Sequence, residues 1–304
     1  MLKFISMRVI STVITLFIVL TATFFLMFLV PGGPFLSERS TAQLVEVMNR
    51  KYGLDKPVVV QYGNYLKNAL QGDLGVSLKR KGYAIVEILA EKFPVSARLG
   101  AVAIVVSLFI GIPAGVMAAY KRNTIFDRII MVICTLGYSL PSFVISVSLL
   151  YILGMNLKLL PTLGLDTPAN YVMPVTALSL SPICYITRLM RSSILDIQGQ
   201  DYLKTARAKG VSEVVVLFKH ALKNAIIPVI TYLGPMITGV LTGSFVIEKI
   251  FSVPGLGKFF IDSISGRDYP MIMGTTIFFA AVLIIANLIV DILYKIIDPR
   301  IKYE

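Results

Sequence analysis

The chain has 304 residues, of which 56% are hydrophobic and 15% are charged, and its mean hydropathy is +0.79. The charged fraction lies well below the roughly 25% of soluble domains, so the composition predicts a polytopic membrane protein rather than a soluble one. The net charge of +12 is attributed to membrane topology, not to nucleic-acid binding. Two cysteines and one histidine favour neither a disulfide framework nor a metal site within the membrane.

Six apolar stretches predict membrane-spanning helices. They are residues 9–30, 99–119, 129–153, 172–186, 226–247 and 275–292. The first is too long for the apolar region of a typical signal peptide, and we interpret it as a retained helix. The fourth is the shortest, and an extension to Met190 is an alternative. Pro141 and Pro182 predict kinks or breaks in the third and fourth helices.

Lysine and arginine residues predict the orientation of these helices. With the N-terminus inside, the short inside segments hold fifteen of these residues and the two short outside loops hold four. Positive residues are enriched in cytoplasmic loops, so both termini are predicted to be cytoplasmic. The long outside loop, 31–96, contains two amphipathic patterns and a glycine turn. The first pattern comprises Leu44, Val47, Met48 and Tyr52, the second Val59, Tyr62, Leu66 and Leu70, and the turn Gly72 and Gly75. These patterns predict a small folded extracellular element.

A polar segment, 187–225, interrupts the apolar pattern on the predicted cytoplasmic side. Its sequence "GQDYLKTARAKG" predicts a short helix that begins near Asp201 and ends before Gly210 in a left-handed conformation. Ser212 and Glu213 predict the start of a second helix. An apolar stripe follows along it, made by Val214, Leu217, Phe218, Ala221, Leu222 and Ala225. Pro228 falls in the first turn of the fifth span. The segment is either an interfacial loop resting on lipid or a docking element for a soluble partner.

The stretch "KTARAKG", followed after 17 residues by Pro228, resembles the cytoplasmic loop of membrane subunits of ATP-binding-cassette importers. The family pattern is Glu-Ala-Ala, three residues, then Gly. Lys204 stands at the Glu position, and Thr205 and Ala206 stand at the two Ala positions. The form "TARAKG" is similar to that of the peptide-importer branch. Further similar segments occur in order along the chain: "VPGGPF", "YGLDKPVVVQY", "GDLGVSL", "SLPSF", "LLPTLG", "GSFVIEKIFSVPGLG" and "IDPRIK". Together they resemble the first of two membrane subunits of an oligopeptide permease.

This resemblance implies an all-α fold of the type I importer class, with six transmembrane helices and an extracellular element between the first two. It divides the chain into a first helix (1–30), the extracellular element (31–96), a five-helix core (97–298) with coupling helices at 200–224, and a tail (299–304). The implied contacts with the ATPase are made by Lys204, Thr205, Ala206, Arg207, Ala208, Lys209, Gly210 and Pro228.

The resemblance also implies partners in a bacterial cytoplasmic membrane. These are a second homologous permease subunit, two cytoplasmic ATPase subunits, an external peptide-binding protein, lipid and the peptide substrate. The sequence has no phosphate-binding motif of the form G-x-x-x-x-G-K-[ST], so this chain is expected to bind no cofactor of its own, with ATP and Mg²⁺ held by the ATPases. Dipeptides, nickel or other metal chelates and signalling peptides remain alternative substrates.

Small and polar residues in the last two spans are candidates for the translocation path. They are Thr238, Thr242, Ser244, Asn287 and Asp291. Close helix packing is the alternative role for the small residues, and an interfacial pair with Lys295 is the alternative for Asp291. Glu248 is either a binding residue or a solvated loop charge. An independent secondary transporter is disfavoured because the sequence shows no internal halves with symmetric broken helices and the first five predicted spans contain no acidic residue. An intramembrane enzyme is disfavoured because no nucleophile–base or carboxylate pair appears at mid-membrane depth.

Overall fold

The computed structural model describes residues 2–29, 33–35, 42–80 and 82–297; of residues 2–9, 42, 44 and 291–297 only the backbone is described. The described chain is helical, apart from one isolated β-bridge between Val76 and Ala84. Its helices are α1 (Leu2–Leu29), α2 (Ala42–Tyr52), α3 (Val58–Leu70), α4 (Ile85–Tyr120), α5 (Ile125–Ser139), α6 (Ser142–Leu149), α7 (Pro168–Ile197), α8 (Asp201–Ala208), α9 (Glu213–Val215), α10 (Leu222–Ala225), α11 (Ile227–Ile250), α12 (Leu256–Gly266) and α13 (Tyr269–Ile297). Turns of π-helix follow α6 at Leu150–Asn156 and α9 at Val216–Ala221.

Among the described residues, five helices are long and apolar enough to cross a bilayer: α1, α4, α7, α11 and α13. A sixth candidate is a bent pair, in which α5 and the helical stretch Ser142–Asn156 meet at an angle of 100°. The six predicted spans are therefore all helical, but several of their boundaries were wrong. The fourth span has 30 residues, and α4 begins at Ile85, inside the segment that was predicted to be an extracellular loop.

The two prolines predicted to disturb helices behave differently. Pro141 has an extended backbone (φ −61°, ψ 139°) and separates α5 from α6, so the predicted break is present there. Pro182 lies inside α7, which continues through it as an unbroken helix. A proline in a helix removes one backbone hydrogen bond, and the packing of α7 tolerates this loss at Pro182.

Contacts divide the chain into two compact units, residues 1–94 with 255–285 and residues 95–254 with 286–304. In the first unit, buried side chains of α1 and α13 form a small apolar cluster against which α3 packs. Tyr62 of α3 meets α1 through a hydroxyl contact with Thr21 (2.7 Å) and an edge-on ring contact with Phe24 (5.3 Å between centroids). The predicted stripe of α3 was wrong at its ends, because Val59 and Leu70 are exposed.

A buried carboxylate holds the glycine-rich turn of the first unit. Gly72 and Gly75, which predicted a turn, both have positive φ values (80° and 85°). Asp268, at the start of α13, accepts hydrogen bonds from the Ser77 hydroxyl and from the backbone N–H groups of Leu78 (3.0 Å) and Lys79 (3.4 Å). A carboxylate that accepts backbone N–H groups makes strong, charge-assisted bonds, so Asp268 fixes the loop to the helix.

The second unit contains the larger core, built from parts of α4, α6, α7, α8, α10 and α11. α4 and α7 approach so closely that a Cβ added at Gly115 would lie 2.5 Å from Met190 Cβ and 2.6 Å from the Thr187 carbonyl oxygen. The small residue therefore permits backbone approach, as in other membrane helix pairs. α7 is the central element, because it packs against both α5 and α11.

Candidate functional site

The short polar helix α8 ends in the conformation that its glycine predicts. Gly210 has φ +78°, in the left-handed region that only glycine adopts without strain. Its N–H donates to the Arg207 carbonyl (2.9 Å), and the N–H of Val211 donates to the Ala206 carbonyl (3.3 Å). These two bonds are those of a Schellman motif, which satisfies the last carbonyls of the helix. The turn after α8 is thus fixed by backbone bonding.

The two faces of α8 differ in burial. Leu203 and Ala206 are buried in the core of the second unit. The opposite face is exposed and consists of Lys204, Thr205, Ala208 and Lys209. We call these four residues the outer face of α8. Ala206 was predicted to contact a partner, but in this chain it packs inward, where it holds the helix in place.

Arg207 is engaged within the chain. Its Nε and Nη2 donate to the two carboxylate oxygens of Glu213 (2.8 and 2.7 Å), and its Nη1 donates to the Gln198 carbonyl (3.3 Å). These hydrogen bonds lower the pKa of Glu213. Arg207 therefore ties α8 to the end of α7 and to the start of α9. The sequence predicted Glu213 only as a favourable first-turn residue, and its pairing with Arg207 was missed.

The second predicted helix of this segment contains a π-helical turn, Val216–Ala221. The wider turn brings residues five apart onto one face, so that Val216 and Ala221 are both fully buried. Val214 and Phe218, which an uninterrupted α-helix would place on the same face as Ala221, are 49% and 38% exposed. The predicted stripe was therefore wrong in part. Pro228 occupies the first turn of α11, as predicted.

A cavity of about 410 Å³ lies in the second unit beside the break at Pro141. Its lining residues come from α5, α6, α7 and α11: Tyr138, Ser139, Leu140, Pro141, Ser142, Leu178, Ser181, Pro182, Tyr232, Pro235, Met236, Gly239, Val240 and Gly243. None of these side chains carries a charge at neutral pH. Five of them are serine or tyrosine, and the Leu178 carbonyl cannot receive its usual helical bond because residue 182 is proline. The volume lies in the range of small-ligand sites.

The four predicted path residues whose side chains the structure describes do not line this cavity. Thr238 is half-buried, Thr242 is exposed, and the buried Ser244 hydroxyl donates to the Leu241 carbonyl (2.8 Å). Asn287 is exposed and its Oδ1 would lie 3.3 Å from a Cβ at Gly234. The side chain of Asp291 lies outside the described residues. The residues of α11 that line the cavity recur every three or four positions. This repeat in the sequence was the signal that could have identified them as one face of the helix.

Two buried acidic residues, Asp127 and Glu248, lie in helices just outside the predicted spans. Glu248 is fully buried near the end of α11, so its interpretation as a solvated loop charge was wrong. Asp127 of α5 is 3% exposed and forms a bidentate ion pair with Arg191 of α7, at 2.6 and 2.7 Å. Nothing in the spacing of the sequence relates these two residues, which are 64 positions apart.

Comparison with known families identifies the chain's relatives. A family model described as "Binding-protein-dependent transport system inner membrane component" matches residues 111–303, and the N-terminal model of the same kind of transport-system membrane component matches residues 1–100. The chain belongs to this family. Its members are membrane components of transport systems, and the apolar helices described above identify this member as a multi-pass membrane protein.

Relatives within the family are similar over nearly the whole chain. The dipeptide transport system permease protein DppB of Bacillus subtilis is 45% identical, covering 95% of this chain and 94% of that protein. The oligopeptide transport system permease protein OppB of Salmonella typhimurium is 42% identical, with complete coverage of both chains. A solved structure of the MetNI methionine ABC transporter in an inward-facing conformation has a TM-score of 0.58 at 16% identity, covering 69% of this chain and 96% of that one. The fold is that of type I importer permeases, as predicted.

Proposed function

We propose that this chain is a permease subunit of an ATP-driven importer that moves peptides across a bacterial cytoplasmic membrane. The observation that carries the proposal is the full-length similarity to permeases named for dipeptide and oligopeptide transport, at 45% and 42% identity. The two relatives are named for peptides of different length, and their sequence identities to this chain are too similar to favour one of these substrates. The uncharged, hydroxyl-lined cavity supports a substrate whose peptide groups need hydrogen-bonding partners.

In this proposal the outer face of α8 docks into a cleft of a cytoplasmic ATPase subunit. The buried face and Arg207 hold α8 to the permease core, so that α8 moves with the helices that follow it. Pro228 begins α11 with a fixed backbone angle, and α11 lines the cavity. Two ATPase subunits bind ATP and Mg²⁺, and their closure shifts the docked helix as a rigid body.

The remaining partners complete the path. A second, homologous permease subunit forms the other wall, and an external binding protein delivers the peptide. Both termini are cytoplasmic, which places α8 on the same side of the membrane as the ATPases. This orientation rests on the short inside segments, which are rich in lysine and arginine.

Co-purification with the ATPases tests the docking. We expect Ala208→Glu and Thr205→Glu, both on the exposed face of α8, to lower the amount of ATPase recovered with the permease by at least about tenfold, the equivalent of about 1.4 kcal/mol. The matched control is Asn64→Glu, which adds the same charge to the exposed surface of α3. Docking through α8 is refuted if the α8 variants retain ATPase as the control does.

Uptake competition identifies the substrate. Labelled peptide uptake is measured in a strain that lacks the transporter and is complemented with the complete set of subunits. Unlabelled dipeptides, longer peptides and nickel chelates are the competitors. Competition by peptides alone supports the proposal. Competition by chelates alone would identify metal chelates, and not peptides, as the substrate. Uptake that persists without the ATPase subunits indicates an independent secondary transporter and overturns the ATP-driven mechanism.

A further inference from the structure

The ion pair between Asp127 and Arg191 joins α5 to α7. Arg191 donates from Nε and Nη2 to the two oxygens of Asp127, whose side chain is almost fully buried. The backbone N–H of Asn123 donates to the same carboxylate (3.0 Å). A bidentate pair has one preferred geometry, and a buried charge that loses its partner is strongly destabilised. The contact therefore resists both sliding and separation of α5 and α7.

α5 and α7 run antiparallel beside each other, and the ion pair lies at one end of this contact. Further along, a Cβ added at Gly137 would lie 2.6 Å from Cys184 Sγ, and the rings of Tyr138 and Tyr185 are 5.6 Å apart. α5 has 15 residues, or about 22 Å of helix. At its far end comes the break at Pro141, which lines the cavity.

α7 leads directly from the ion pair to α8. Met190 and Ile194 of α7 are fully buried in the same core as Leu203 of α8. Arg207 also donates to the carbonyl of Gln198, just beyond the end of α7. A displacement of α8 is therefore passed to the end of α7 that carries Arg191, through packed side chains and a hydrogen bond.

We propose that Asp127 and Arg191 are positioning residues that make α5 and α7 move as one body, so that displacement of α8 reaches the broken helix beside the cavity. The inference rests on the proposed function, since it needs an ATPase that moves α8. The pair touches neither ATP nor substrate. Its role is to transmit motion, and it is measured by the substrate imported per ATP hydrolysed.

Neutralising one partner tests this transmission. We expect Asp127→Asn and Arg191→Gln to lower peptide uptake per ATP about tenfold in the complete transporter, with assembly and ATPase rate changed less than about twofold. The matched control neutralises an exposed ion pair of α2 through Arg50→Gln, which removes its contact with Glu46 (2.8 Å) and leaves uptake per ATP unchanged. Unchanged uptake per ATP in the two pair variants overturns the proposal.

A distance measurement separates transmission from a purely structural role. Spin labels are placed at Leu140, near the break, and at Val172, in the first half of α7; both side chains are nearly half exposed. The labelled protein carries serine at Cys134 and Cys184. We expect the distance between the labels to be the same with and without ATP in the parent. In Asp127→Asn it should change by several ångströms or broaden on ATP binding, and an unchanged distance overturns the proposal.

A double variant covers the case in which a lone charge prevents assembly. Asp127→Leu combined with Arg191→Met removes both charges and leaves no buried ion unpaired, a replacement that folded proteins often tolerate. We expect this variant to assemble and to show the tenfold loss of uptake per ATP. Full uptake per ATP refutes the positioning role. If the parent transporter itself shows no ATP-driven uptake, the proposed function fails instead, so the two failures are distinguishable.

Discussion

A series of substitutions at Gly210 tests the turn that ends α8. The backbone at this position has φ +78°, and a Cβ added there would meet no atom within 4 Å. Substitution therefore costs only the backbone strain, with no contribution from a clash. We expect the free-energy cost of substitution to rise from asparagine to alanine to valine, because asparagine tolerates the left-handed region and β-branched residues tolerate it least.

The magnitude follows from that single strained dihedral angle. Placing alanine in the left-handed region costs about 1–2 kcal/mol, which corresponds to a factor of about 5–30 in the ratio of native to non-native turn. Valine costs more and asparagine less. If the ATPase binds α8 only when this turn is formed, its apparent affinity falls by up to this factor, since binding must first restore the turn.

Gly199 provides the control. It lies before α8, has no atom within 4 Å of an added Cβ, and has no positive φ. We expect Gly199→Ala to leave docking unchanged, since alanine adopts this backbone without strain. Titration of the solubilised permease complex with purified ATPase measures the affinities. Equal affinities for Gly210→Val and Gly199→Ala would refute the reasoning, as would a Gly210→Asn variant that binds as weakly as Gly210→Val.

Three further predictions concern the internal contacts. Arg207 lowers the pKa of Glu213, so this pair adds stability that is fully present above about pH 4.3, the unfolded-state value, and is lost as the pH falls through the lower folded-state pKa. Arg207→Gln should lower the free energy of unfolding at pH 7 by less than about 1 kcal/mol, and the difference from the parent should disappear once the pH has fallen below that folded-state pKa. Asp268→Asn should weaken its hydrogen bonds by about 1.5–3 kcal/mol and speed proteolysis of loop 72–83. Gly115→Ala should cost about 1–3 kcal/mol in thermal unfolding, whereas Gly63→Ala, with open space around it, should stabilise.

Local chemistry made some features predictable from the sequence. Glycine at 210 permits a left-handed backbone, proline at 141 fixes φ and lacks an N–H group, and the structure has the left-handed turn and the broken helix at these positions. The amphipathic patterns of α2 and α3 likewise correspond to helices, since a repeat of three to four residues is a local property of the chain. These signals require no knowledge of which segments meet in the fold.

Tertiary contacts explain what sequence reasoning missed. The partner of Asp127 lies 64 positions away, and its burial depends on how α5 packs on α7. The π-helical turn after α9 changes which residues share a face, and nothing in a 3.6-residue repeat signals the extra residue.

The division of α8 into two faces also explains why lysine is tolerated at the position where the family pattern has glutamate. Lys204 is 64% exposed, and its contact with Asp201 (2.9 Å) is exposed as well, so the contact contributes little to stability. The fold therefore sets little constraint on residue 204. By contrast, Leu203 and Ala206 are set by the core, and Gly210 by its backbone angle. In the proposed complex, residues on the outer face of α8 are free to vary with the surface that they dock against. In the proposed complex, selectivity for one ATPase over another is determined by this face, while the buried face keeps the helix in the same place.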